Sequence, residues 1–210
     1  MAKEKSGNIT VEFRPEWLDY IMPEKFNSPE LNRIVTFFVF HSPCRQLSAM
    51  SKSLEEYGWN APWKKPQYLQ RKLKATSTNN GLIFSAQTIG DMRQALEKSR
   101  LMGNLTDDLN TERIAIFNNQ RNQFMSVFYH LRDAFAHGRL NMFDIGLEDD
   151  YVFLFEDVRK NKSVYQVTAR MILRKNTLLN WIELIEGGYI ENDRTNDDKD
   201  IQGGMMSDKC

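Results

Sequence analysis

No stretch of this 210-residue chain is apolar for long enough to cross a bilayer. The longest such run, IVTFFVF from Ile34 to Phe40, falls far short of the ~20 residues a spanning helix needs. The opening MAKEKSGN has no apolar centre of the signal-peptide kind. Cysteine is scarce: Cys44 and Cys210 cannot build a disulfide framework and show no paired metal-site spacing, so the expected setting is a reducing cytoplasm, away from membranes. Neither sign of charge is in excess, since 28 basic residues balance 28 acidic ones, and any attraction to a polyanion must come from local patches. Phosphate-cradling glycine loops and nucleophile elbows are also missing. What is present is 41% hydrophobic residues, enough for the core of one domain.

Helix signals come first along the chain. In SPELNRIVTFFVF, Ser28 reads as an N-cap, Pro29 as the first helical residue and Glu30 as a first-turn acid. Pro43 separates this helix from a second helical stretch, CRQLSAMSKSLEEY. A short helix is expected near Tyr68 to Lys74. Another is expected in TIGDMRQALEKSRLMGN, with Thr88 and Asp91 as a capping box and Gly103 as the stop. The longest helix is expected from Thr111 to His137, about 40 Å long. In it Phe117, Phe124, Phe128, Leu131 and Phe135 form one apolar stripe, and Asn119, Asn122, Ser126, His130, Asp133 and His137 form a polar stripe opposite. That lysine-free stripe points to a cleft or a subunit interface. DYVFLFEDV and SVYQVTARMIL, separated by RKNK, read as a β-hairpin, and NTLLNWIELIEGG as a closing helix capped by Asn176 or Thr177 and ended at Gly187 and Gly188.

The stretch YHLRDAFAHGRL, Tyr129 to Leu140, carries the most chemistry. A C-terminal turn of a core helix accounts for its basic residues and for Gly138. The same residues suit RNA cleavage without a metal: a histidine moves protons near neutral pH and an arginine holds phosphate oxygens. Asp133 precedes His137 by four residues and could fix its tautomer. Arg132 projects about 140° from His137 on an ideal helix, so the two converge only if the helix end deforms or two chains share one site.

LRDAFAHGRL resembles the signature of the HEPN superfamily, an arginine, four to six residues and a histidine, carried here by Arg132, Asp133 and His137. The resemblance covers about residues 107–187. It implies a mainly α, HEPN-like helical bundle with the β-hairpin inserted before the C-terminal helix. It also implies a homodimer pairing the motif helices, and metal-independent endoribonuclease activity of the toxin or phage-defence kind. Arg132 and His137 would be the catalytic pair, Asp133 the orienting residue, and His130, Ser126 and Tyr129 supporting residues. Arg139 stands where one subgroup has a tyrosine that an antitoxin modifies, which disfavours that mode of control; an inhibitory protein partner of another kind stays open.

Between Tyr57 and Gly90 there is no acid, while Lys64, Lys65, Arg71, Lys72 and Lys74 are interleaved with Trp59, Trp63 and Tyr68, a mixture able to hold phosphates and stack bases. With Arg139 these are the expected RNA contacts. His41 reads as a core or capping residue, and Leu147 to Asp150 as solvated acids, so no metal or other cofactor is expected. The expected domain is residues 11–190, with a core at 107–187 and a helical extension at 11–106, between a flexible tail at 1–10 and a disordered acidic tail at 191–210. The alternative to an endoribonuclease is a non-catalytic RNA-binding or protein-interaction module with the same fold. The composite site predicts a dimer of twice the chain mass in light scattering at micromolar concentration, and a strict monomer would remove it.

Overall fold

Helix α1 (Pro29–Thr36) starts as its residues dictate: the Ser28 hydroxyl accepts the Leu31 N–H at 3.2 Å, with Pro29 in the first turn and Glu30 at the positive end of the dipole. The computed structural model of the chain describes residues 7–12, 28–44, 47–77, 83–103, 105–106, 108–146 and 151–190, with residues 15 and 18. The tail at 191–210, residues 1–6 of the N-terminal tail and the acidic stretch at 147–150 therefore lie outside the described residues. α1 continues into a π-helical turn at Phe37–His41. The next expected helix does not form among the described residues. Along CRQLSAMSKSLEEY, serine side chains take up the local backbone groups: Ser48 Oγ accepts the Met50 N–H, and Ser53 and Glu56 cap each other across one turn that Gly58 ends at positive φ. α2 (Leu69–Ala75) and α3 (Met92–Lys98) form as expected, and the Thr88–Asp91 capping box is present in both directions. α3 ends at Ser99, earlier than Gly103.

The expected helix from Thr111 to His137 is a strand, a turn and a shorter helix. β3 (Arg113–Phe117) alternates Ile114 and Ile116 against Ala115. Asn122 then caps α4 (Gln123–Ala136), its side-chain oxygen accepting from the N–H groups of Phe124 and Met125. The seven-residue spacing from Phe117 to Phe124 suits one helical stripe, but the Asn122 cap falls between them. α4 is thus 14 residues, about 21 Å.

The mainly α bundle implied by the motif is overturned by a six-stranded mixed sheet. Its order is β2 (Ile83–Ala86), β3, β6 (Val164–Arg174), β5 (Tyr151–Asn161), β4 (Leu140–Asp144), with β1 (Thr10–Val11) also beside β6. β2 and β3 are parallel and every other pair is antiparallel. The β5–β6 hairpin is the centre of the sheet rather than an insertion into a bundle, and its composition says why. Phe153, Phe155, Met171 and Leu173 face one core, with α1, α2, α4 and α5 (Lys175–Gly187); Val152, Leu154 and Ile172 face another, with α3. Strands buried on both faces read as continuous apolar runs, as VFLF does.

Two buried charges fasten this frame. Glu156 of β5, wholly buried, pairs with Arg139 before β4 and with Arg170 of β6, whose guanidinium also donates to the Leu101 and Met102 carbonyls. Glu112 caps the closing helix from outside: one oxygen accepts the Arg174 N–H at 2.7 Å and the other the Thr177 hydroxyl at 3.0 Å. The expected local caps, Asn176 or Thr177, are replaced by an N-cap at Arg174 and this remote carboxylate. At the other end Gly188, at positive φ, is obligatory, because a Cβ there would collide with the Tyr57 carbonyl oxygen.

Glu156→Gln leaves two buried guanidinium groups without a counter-charge and is expected to cost about 3–5 kcal/mol. Arg33→Ala breaks only exposed pairs with Glu183 and Glu186 and should cost under about 1 kcal/mol. Urea midpoints of the two variants check the order, and a smaller loss at Glu156 would show that its pairs do not hold the frame.

Candidate nucleic-acid interface

The sheet topology gathers the polar loops at one end. β2 and β3 finish there, β4 begins there, and the β5–β6 hairpin closes there, since Ala86 pairs with Phe117, Ile116 with Ala169, and Leu140 with Phe155. The loop from Asn118 to Asn122, the start of α4 and the turn at Gly138 therefore share that end.

An open cleft of about 480 Å³ lies at the start of α4, lined by Trp63, Gln120, Arg121, Asn122 and Met125. Its Trp63 wall is held by a tight loop: the Leu69 N–H donates to Pro62 O at 2.7 Å, the Tyr68 N–H to Lys64 O at 3.0 Å, and the Ala61 N–H to the Gln67 side chain at 2.8 Å. Trp63 is half-buried, with part of its ring packed on the core, while Arg121 is exposed. The oxygen of Asn122 is committed to capping α4, which leaves its amide hydrogens as donors. An aromatic wall, an exposed cation and amide groups in one cleft suit a planar ring carrying an anion. Sequence reading had Trp63 among its interleaved aromatics but missed Gln120, Arg121 and Met125. They stand beside Trp63 only through tertiary folding.

The basic segment next to Trp63 is displayed outward. Lys64, Lys65, Arg71 and Lys74 are exposed and Lys72 half-buried. The other two interleaved aromatics turn away: Trp59 is buried with its Nε1 on Ile185 O at 3.1 Å, and Tyr68 is half-buried under Lys65.

The middle of the polar stripe of α4, Ser126 and His130, faces into the protein, whereas Asn119, in the loop before the helix, and His137 are exposed. Ser126 is buried and donates to Asn118 at 2.8 Å, while accepting the Gln120 N–H. His130, 2% exposed, has Nδ1 2.7 Å from Asp157 and Nε2 2.7 Å from the Phe117 carbonyl oxygen. Asp157 accepts in addition from Thr168 and from the Val158 N–H. Ser126 and His130 are thus satisfied within the chain, while Asn122 of the same stripe lines the cleft and His137 is exposed. Tyr129, half-buried, packs against the core.

The motif residues do not converge within one chain. Arg132 donates to Asp133 at 2.8 Å and to the Leu47 carbonyl at 2.9 Å, so the carboxylate expected to orient His137 holds the arginine instead. His137 is the exposed C-cap of α4, and its ring makes no hydrogen bond among the described residues. Arg139, expected to touch RNA, is buried against Glu156 and cannot present its charge to a phosphate. His41, half-buried, ends the π-helical turn and offers its carbonyl to the Tyr57 hydroxyl at 2.7 Å.

Among the described residues no cluster of His, Cys, Asp or Glu could hold a metal ion, and no helix is long and apolar enough to cross a membrane. Comparison of the chain with models of known protein families, with curated proteins and with solved structures finds no match.

Cys44 lies near Arg132 and Asp133 but is not poised as a nucleophile. Burial pushes its thiol up to about 12, against 9.0 for a free thiol; the Asp133 charge adds to the rise, and a Ser42 hydrogen bond and the Arg132 charge oppose it. In a Cys210→Ser variant, Cys44 should resist thiol reagents at pH 8 until denaturant opens the chain. The unfolded thiol ionises near 9.0 and the folded one near 12, so its contribution to stability is full below pH 9 and lost as pH rises from 9 to 12. Native labelling at the rate of a free peptide thiol would contradict this.

Proposed function

We propose that this protein is a non-catalytic RNA-binding module that stacks a base against Trp63 and holds the adjoining phosphates with Arg121 and the neighbouring lysines. The observation that carries the reading is the cleft between Trp63 and Arg121, continuous in sequence with the acid-free segment that displays Lys64, Lys65, Arg71 and Lys74. All the charges of that segment are basic in a chain whose charges balance, so the local field there attracts a polyanion that the whole molecule does not. Single-stranded nucleic acid is the polyanion with unstacked rings, and stacking on an aromatic face accepts any base. The Gln120 and Asn122 amides line the same cleft, and a hydrogen bond from either to a ribose 2′-hydroxyl would favour RNA over DNA.

A second reading, cleavage by His137 with Arg132, keeps one supporting observation: the exposed His137 imidazole has no competing partner among the described residues and is able to move a proton. It requires Arg132 to exchange Asp133 and the Leu47 carbonyl for a phosphate. It also puts the chemistry about 20 Å from the Trp63 cleft, the length of α4.

Both readings meet in one experiment. Purified protein in EDTA is titrated with labelled RNA and DNA oligonucleotides of the same sequence, and the RNA is recovered afterwards. Intact RNA is expected, with tighter binding than DNA. Trp63→Ala should weaken RNA binding by about 1–3 kcal/mol, roughly 5-fold to 150-fold, and Arg121→Ala should lower the salt slope by about 0.7. Unchanged affinity in both variants defeats the cleft reading, and RNA cleavage that disappears in His137→Ala replaces binding with catalysis.

A further inference from the structure

The β5–β6 hairpin runs past the ends of β3 and β4, with the two-residue β1 alongside β6 there. β4 ends its pairing with β5 at Leu140 and Phe155, and β5 continues six residues further, to Asn161, about 20 Å of extended chain. A register shift at Asp157 and Val158 lies at the base of this arm. Irregularities of this type bend a strand and re-aim it. Its base is pinned by His130 of α4 through Asp157, and one flank by β1, which pairs Thr10 with Gln166 and Val11 with Tyr165.

The tip of the arm is basic and exposed. Arg159, Lys160 and Lys162 are exposed, as are Asn161, Ser163 and Val164. Arg159 lies opposite Gln166 and Lys160 opposite Tyr165, so the two cations fall on opposite faces of the ribbon, with Lys162 at the turn in the left-handed region. Among the described residues none of the three has a carboxylate partner: the acids at the arm's base, Glu156 and Asp157, are buried and satisfied by Arg139, Arg170, His130 and Thr168. Glu12, exposed just after β1, is the acid beside the arm among the described residues. Cations on both faces and at the tip suit a ligand that wraps the ribbon, and a nucleic-acid backbone is such a ligand. The aromatic ring on the arm, Tyr165, is half-buried with Lys160 5.9 Å above it, so the arm offers charge to phosphates and no stacking platform to bases.

We infer that the β5–β6 arm is a second RNA contact, gripping the phosphate backbone with Arg159, Lys160 and Lys162 while the Trp63 cleft takes a base. This rests on the RNA-binding reading. It extends the ligand beyond one cleft, because the arm and the Asn118–Asn122 loop stand at the same end of the sheet.

The test measures RNA affinity against salt for the full chain. The triple change Arg159→Gln, Lys160→Gln and Lys162→Asn, the last suited to the left-handed turn, should leave the thermal melt unchanged. It should lower the salt slope by about 2 and weaken binding on the order of tenfold at moderate salt. Glu12→Gln should move affinity the opposite way, which separates a charge effect from a damaged fold. If Trp63→Ala weakens binding while slope and affinity ignore both arm changes, the cleft reading stands and the arm proposal falls; added aggregation of the triple variant would then show that the cations only guard an open strand edge. If the wild type does not bind RNA, both fall.

Discussion

The wholly buried carboxylate of Glu156 sits where four parts of the chain meet. Arg139 brings the start of β4 to it and Arg170 brings β6, and through Arg170 the Leu101–Met102 connection after α3 is tied down as well. A charge with no exposure in a low-dielectric interior is tolerated only because two guanidinium groups meet it. That requirement settles where α4 must turn into β4, since Arg139 directly follows Gly138, the left-handed residue after the His137 cap. The neighbouring Asp157, next along β5, does the same for the middle of α4 through His130. Two consecutive acids on opposite faces of one strand thus lock a helix and a strand onto the sheet.

This geometry explains why the R-x4-H string does not carry the architecture it resembles. In a helical bundle, the polar side of the motif helix is open to a partner. Here Ser126 and His130 on that side are consumed by Asn118, Phe117 and Asp157 of the same chain, and Arg132 by Asp133 and Leu47. What remains outward is His137 at one end of α4 and the Asn122–Met125 turn at the other, and the concave surface is at the second.

A polyanion approaching the hairpin end of the sheet would find charge in two separate places. Trp63 and Arg121 are 58 positions apart in sequence and share a cleft because the Pro62–Leu69 loop packs beside the first turn of α4. The arm residues lie at the end of β5 and in the turn after it, and among the described residues no strand pairs with β5 on the β4 side beyond the Glu156 N–H bond to the Arg139 carbonyl. The acid-free segment near Trp63 was visible as composition, whereas Arg121 had no local signal that set it apart from other surface arginines.

Local chemistry alone determined the cap of α1 at Ser28, the Thr88–Asp91 box, the extent of α2 and the hairpin, because each is closed by atoms a few residues apart. The apolar partners of α4, Phe124, Phe128, Leu131 and Phe135, were legible for the same reason: a period near 3.6 is a property of the segment itself. Tertiary structure decided the rest. Only the burial of both faces made β3 a strand and the hairpin the sheet's centre, only Glu112 and Glu156 revealed which charges were structural, and only the packing of the Pro62–Leu69 loop put Trp63 against Arg121. Such contacts join residues tens of positions apart, and their stability comes from burial that no single segment can supply by itself.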